Sequence, residues 1–367
     1  MPVRDLTGRE QGYRVQVESG LAFEFLVTLC GFGTPEEYDT YEVGPEWFER
    51  IRTSASSALL AGLDRIGRDA GKVWVNLMGL ATLSPATRDV PSFVQRVEAL
   101  EPLDLRLYLL GAHVPFYQQS ISPEILRRAA EGDVRAAERL VADDCFFGGD
   151  GRDLDLLGLS VEETRAVILD VLHRWDEEVF RERGPELEPI LARDAEAKRL
   201  LVRRLSPEQA IEAASGVQFV PQPGIRQVYL IPQLTTRPWV WLAEHDDARL
   251  YCYPVSDESV PLEDDTEPPG RLVRLHKALG DEKRLRMLRA IAESTATLQE
   301  LADRFGLPKS TAHHHLAILR TAGLIRVTSD EERRYSVRRD VLPEVSTLLE
   351  SYLGSRPQAR SAAQTRR

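Results

Sequence analysis

The chain has 367 residues and a mass of 41.3 kDa, more than one ordinary hydrophobic core, so two or three folded units are expected. Hydrophobic residues make up 43% and charged residues 29%, which excludes a collagenous or bulk-disordered chain. A formal charge of -11 argues against a polyanionic partner only as an average: residues 270–367 carry 19 Lys and Arg against 11 Asp and Glu, a net of +8, which leaves -19 on the residues before them.

A basic C-terminal region favours nucleic acid, and an acidic remainder would be held away from it. No apolar run approaches the ~18 residues of a membrane span, and the first residues lack the apolar stretch of a secretory signal; a cytoplasmic protein without membrane contact is expected. Cys30, Cys145 and Cys252 show neither disulfide nor metal-ligand spacing, so neither cofactor nor structural metal is expected from them.

In chain order, alternation over Tyr13 to Val17 predicts a strand, and Ser19 is placed to cap the helix that follows through Cys30. Helical periodicity continues through Pro45 to Ile66, Val73 to Leu83, Val90 to Leu100, Pro123 to Val141, Val161 to Arg181, Glu186 to Leu205 and Pro207 to Ala214. From Val217 short β-type runs take over, VQFV, QVYLI, WVWLA and RLYCY, with HDDA as a hairpin turn, and a small antiparallel sheet is expected. The segment SDESVPLEDDTEPPG, 256–270, reads as an acidic proline-rich linker. The predicted organisation is therefore a helical domain with a small sheet over 1–255, for sensing or oligomerisation, the linker, a DNA-binding domain over 271–353, and a disordered tail over 354–367. The fold class is α+β, mainly helical.

Beyond the linker, three short helices are predicted at Leu272 to Leu279, Glu282 to Ala292 and Leu298 to Phe305, the second capped by Asp281. In FGLPKSTAHHHLAILRTAGLI, Gly306 ends one helix, Pro308 opens the next and Gly323 stops it, the punctuation of a helix-turn-helix. Ala312, Leu316 and Leu319 share one face and point inward. Lys309, Ser310, Thr311, His313 and His314 then form the polar N-terminal surface that such a helix inserts into the major groove. Leu324 to Thr328 and Arg333 to Val337 read as a β-hairpin wing. Arg326, Arg333 and Arg334 supply backbone or minor-groove contacts there. Three consecutive histidines cannot converge on one ion without partners from elsewhere, because neighbouring helical positions lie ~100° apart, and DNA contact or packing is the favoured reading.

These segments, ALGDEKRLRMLRAI, LQELADRFGL, STAHHHLAILRTAGLI and RRYSV, resemble the ArsR/SmtB type of winged-helix transcriptional regulators. Glu282 and Lys283 stand where that family usually has Pro-Thr, and His313 where it often has Ser. The resemblance implies a homodimer joined through the first and last helices of the module, near Leu272 to Leu279 and Val341 to Tyr352, which acts as a repressor on a palindromic double-stranded operator. The family's metal-sensing positions fall in LQELADRFG and DVLPEVSTLLESYL, which hold neither Cys nor His, so no metal site is expected there. The long region before the module resembles the N-terminal domains carried by some ArsR-like regulators.

Sensing of a small-molecule effector is the first role expected for that region. Trp239 with Trp241, and Tyr251 with Tyr253, recur at i, i+2 on two strands. Each pair presents one face, either to line an apolar effector pocket or to pack on helices. Asp143 to Asp155 is rich in Asp and Gly but does not match a calcium loop, and a solvated loop is the favoured reading. The competing classes are an interaction or scaffold protein that binds a partner through its acidic domain, and an enzyme fused to a DNA-binding module. The second lacks any nucleophile elbow, Walker loop, dinucleotide fingerprint or HExxH. No catalytic residue is expected.

Overall fold

The computed structural model describes residues 12–67, 71–142, 154–222, 224–261, 268–328, 333–339 and 341–354. The Asp143 to Asp155 loop up to residue 153, the wing turn at 329–332, most of the acidic linker and the tail beyond Gly354 lie outside the described residues. The chain forms two compact units, Met1–Ser215 with Pro221–Val255, and Gly216–Val220 with Ser256–Arg367. Helices dominate both, and the protein is mainly helical α+β with small sheets.

The first unit contains a helix enclosed on every side. Leu21–Phe32 is apolar around its circumference, and Phe23, Phe25, Leu26 and Leu29 have no exposed surface, as expected of a helix surrounded by other elements. Its polar side chains find partners inside. Glu24 accepts from the backbone N–H groups of Leu234 and Thr235 at 2.9 and 2.8 Å and from Thr235 Oγ1 at 2.6 Å. Burial raises the pKa of this carboxyl, against the opposing effect of those donors and of Arg183. Thr28 Oγ1 accepts from Trp175 Nε1 at 2.8 Å. The N-cap is Gly20 rather than the expected Ser19; the Arg88 carbonyl passes so close there that a Cβ on Gly20 would stand 2.6 Å from it.

The described strands are β1 (Arg14–Val17), β2 (Val217–Gln218), β3 (Gln227–Gln233), β4 (Trp241–His245), β5 (Ala248–Pro254), β6 (Ala296–Thr297), β7 (Ile325–Thr328) and β8 (Arg334–Val337). In the first unit they order β1-β3-β5-β4. β1 and β5 both run parallel to β3, and only β4 and β5 are antiparallel. The expected antiparallel sheet is thus corrected to a mixed one. The hairpin forms at the foreseen turn, with Asp246 in the left-handed region at φ 51°. Its second strand lies inward against β3, however, and β1 arrives from the start of the chain. Strands covered on both faces read as continuous apolar runs, and Leu250, Tyr251, Cys252 and Tyr253 have no exposure. Cys252 Sγ meets Met78 Sδ at 3.6 Å on the Gly71–Thr82 helix. The Tyr253 ring instead lies 5.7 Å from Lys198 Nζ on the Gly184–Val202 helix.

The second unit has helices at Gly270–Leu279, Glu282–Glu293, Leu298–Phe305, Lys309–Thr321 and Glu344–Gly354. Its sheet orders β2-β7-β8-β6, with β7–β8 and β6–β8 antiparallel and β2 parallel to β7. VQFV therefore does not join the other β runs, as a boundary at 255 required. Val217 and Phe219 are buried, and β2 fills the otherwise open edge of β7. The core joins Leu275, Met287, Ile291, Leu301, Leu316, Leu319, Leu324 and Tyr335.

Candidate nucleic-acid interface

Helix caps position the two-helix element that matters. Asp281 accepts from the Arg284 N–H at 2.9 Å. Thr297 and Glu300 form a reciprocal capping box, with N···O distances of 3.2 and 2.8 Å. Gly306 closes the Leu298–Phe305 helix in the left-handed conformation at φ 61°, where a side chain would be strained. The chain then turns through Leu307 and Pro308 into Lys309–Thr321. Ala312, Leu316 and Leu319 are fully buried on its inner face. That burial fixes what faces outward: Lys309 and His314 are exposed, and Thr311 and His313 are half-buried. Ser310 lies in the same first turn. Its N-cap, Pro308, makes no side-chain hydrogen bond to the first turn, and a helix start of that kind can receive a phosphate on its first N–H groups.

The third histidine of the run behaves differently. His315 is buried, with Nδ1 lacking a hydrogen-bond partner, and burial is the main cause that lowers its pKa. It packs inward and is no contact candidate. His313 is also held below its ordinary value, first by burial and then by the positive charges of Arg320 and Arg333. Arg320 was not among the expected contacts, although its i, i+7 spacing from His313 puts both on one side of the helix.

The three wing arginines separate in the structure. Arg333 is exposed. Arg334 donates from Nη2 to the Thr295 carbonyl at 3.0 Å and to Glu300 Oε2 at 3.3 Å, so it braces the start of the Leu298–Phe305 helix. Arg326 donates from Nε to Ser336 Oγ at 3.1 Å across the β7–β8 pair. Both are engaged within the module, while Lys309, His314 and Arg333 are its exposed members among the expected contacts.

The expected effector pocket does not assemble. Trp241 pairs with Cys252 across the hairpin, and Leu242 with Tyr251. Directly paired residues share a face, so Trp241 lies on the side opposite Tyr251 and Tyr253. Trp239 precedes β4 and donates from Nε1 to Thr40 Oγ1 at 2.6 Å, and Trp241 donates to Thr236 Oγ1 at 2.8 Å. The two tyrosines are core residues with no exposed surface. These four side chains do not line one cavity.

A four-helix core, a capped turn into an exposed helix and a β-hairpin beside it define the second unit as a winged helix-turn-helix module, and the chain as a DNA-binding regulator. Residues 279–328 match a family model described as a helix-turn-helix domain. No curated protein matches the chain. No helix among the described residues is long and apolar enough to cross a membrane.

Proposed function

We propose that the chain is a cytoplasmic transcriptional repressor of the ArsR/SmtB type that binds a palindromic operator as a homodimer and is released when its first unit binds an effector. The observation that carries the reading is the exposed, side-chain-uncapped start of Lys309–Thr321, with Lys309 and His314 outward and Arg320 and Arg333 beside His313. Lys309 and Arg333 neutralise phosphates, while His314 and Thr311 meet base edges. Dimerisation is supported by the Glu344–Gly354 helix. Val345 and Leu348 pack on the module core, yet Leu349 and Leu353 are 37% and 73% exposed, an apolar face that a second copy would cover.

The test is fluorescence-anisotropy binding of the full chain to the DNA upstream of its own gene and to a scrambled duplex, over a salt series. Tight operator binding with a steep negative salt slope is expected. His314→Ala is expected to cost ~1–3 kcal/mol on the operator alone, and Arg333→Ala to weaken both duplexes and flatten the slope. Equal loss of both duplexes in His314→Ala would remove it from base readout. Equal weak binding of the wild-type chain to both would count against an operator at that position.

A further inference from the structure

One cluster of metal-ligating side chains is present among the described residues, and all three of its members belong to the first unit. His113, His245 and Asp246 each offer one ligand atom, and all three atoms lie within 4.8 Å of one another. His113 Nδ1 stands 3.0 Å from Asp246 Oδ1, and His245 Nε2 stands 3.6 Å from Asp246 Oδ2. A tetrahedral ion with bonds of about 2.0–2.2 Å sets its ligand atoms roughly 3.3–3.5 Å apart; the two separations, which run to the two oxygens of the same carboxylate, fall on either side of that spacing, so a small side-chain adjustment brings the imidazoles and one oxygen onto one ion.

The backbone holds the groups in place. Asp246 occupies the tight turn between β4 and β5 in the left-handed conformation, and its N–H donates to the His113 carbonyl at 2.7 Å. This bond ties together segments 133 residues apart in sequence. His245 is 5% exposed, and the Cγ–Nδ1 edge of its ring lies so near Gly79 that a Cβ there would come within 2.4–2.6 Å of it. With that edge against the helix, Nε2 is the nitrogen left facing Asp246. The Tyr108 ring stacks on both imidazoles, at 4.2 Å from His113 and 5.6 Å from His245. An ordinary surface ion pair needs neither a second imidazole nor a buried, sterically keyed one.

We propose that His113, His245 and Asp246 bind a divalent transition-metal cation through one nitrogen from each imidazole and one carboxylate oxygen. Two imidazoles and a single carboxylate select zinc, cobalt or nickel over magnesium or calcium, which take oxygen ligands. Three protein ligands leave a coordination position for water or a further group. The ion would clamp the His113 loop to the β4–β5 turn.

The experiment uses the full-length, tag-free, chelator-stripped chain, titrated with Co²⁺ alone and followed by its visible d–d absorption, then displaced with Zn²⁺. One equivalent per chain is expected. His113→Ala and Asp246→Asn should each weaken uptake at least as much as the ~10–100-fold seen when outer-shell partners of a metal are lost. Both positions are partly exposed, and Asn is tolerated in a left-handed turn, so circular dichroism should stay unchanged and the metal-free melting midpoint should fall only slightly, through the lost Tyr108 and Asp246 contacts. A variant with His313 and His314 both replaced by Ala should bind as the wild type. Absence of stoichiometric uptake by the wild type overturns the proposal. So does uptake that survives both His113→Ala and Asp246→Asn, or that disappears with the His313/His314 pair.

Discussion

The first unit turns charge and polarity inward, and the second turns them outward. In the first, Glu24, Arg106, Asp194, Gln233 and Thr235 have no exposed surface. Arg106 donates to the carbonyls of Leu159 and Leu157 at 2.7 and 3.0 Å. In the second, Ser259 and His315 are the buried polar side chains among the described residues, and the core is otherwise apolar. A module that meets a polyanion needs its cations at the surface, and apolar packing with helix caps suffices to hold it. The first unit is instead held by a polar network that joins distant segments, in which any unpaired member leaves a buried group unsatisfied.

That contrast can be broken by variants that act on one unit at a time. The largest effect is expected for Trp175→Ala. The side chain is fully buried, lies edge-on to Phe32 at 5.1 Å and donates to Thr28; its removal should cost ~3–5 kcal/mol. Calorimetry should show the first unit melting earlier and the second unmoved, and a joint shift would show that the units unfold as one. A smaller loss, ~1 kcal/mol, is expected for Thr297→Ala, which removes half of the capping box. It should lower only the transition of the second unit, and a shift in the first would again erase the distinction.

The smallest effect is one of pH. Burial lowers the pKa of His315 in the folded state, so the unfolded chain takes up its proton first. Stability of the second unit should be intact above the unfolded value of about 6.5 and fall as pH drops through it toward the folded value. Denaturant midpoints of the second unit should decline on acidification, and His315→Leu should flatten that decline. A slope as steep in the variant as in the wild type would assign the acid sensitivity elsewhere.

The same contrast explains what the sequence discloses. In the second unit the signals are local. Asp281 before a periodic run, Gly306 before Pro308, and Ala312, Leu316 and Leu319 at helical spacing each act within a few residues, and the folded chain uses them so. The capping box is equally local, with Thr297 three places before Glu300. In the first unit β1 pairs Arg14 with Gln227, and no local pattern announces a partner that far along the chain. The i, i+2 aromatics disclose which residues share a strand face but not the register between strands, and it is register that parts Trp241 from Tyr251. His245 and Asp246 read as residues of the HDDA turn, and His113 lies more than a hundred positions before them. Only the fold brings them together.

Residues 216–220 carry a practical consequence for anyone who dissects this molecule. The outer strand of the wing sheet is supplied by a stretch of chain that precedes β3, so a fragment cut at the acidic linker omits it. Such a fragment keeps every helix of the helix-turn-helix yet bares the hydrogen-bonding edge of β7, the kind of open edge on which other chains assemble. A truncated DNA-binding piece is therefore expected to be stickier than its parent, and its self-association would report the excision rather than a property of the intact chain.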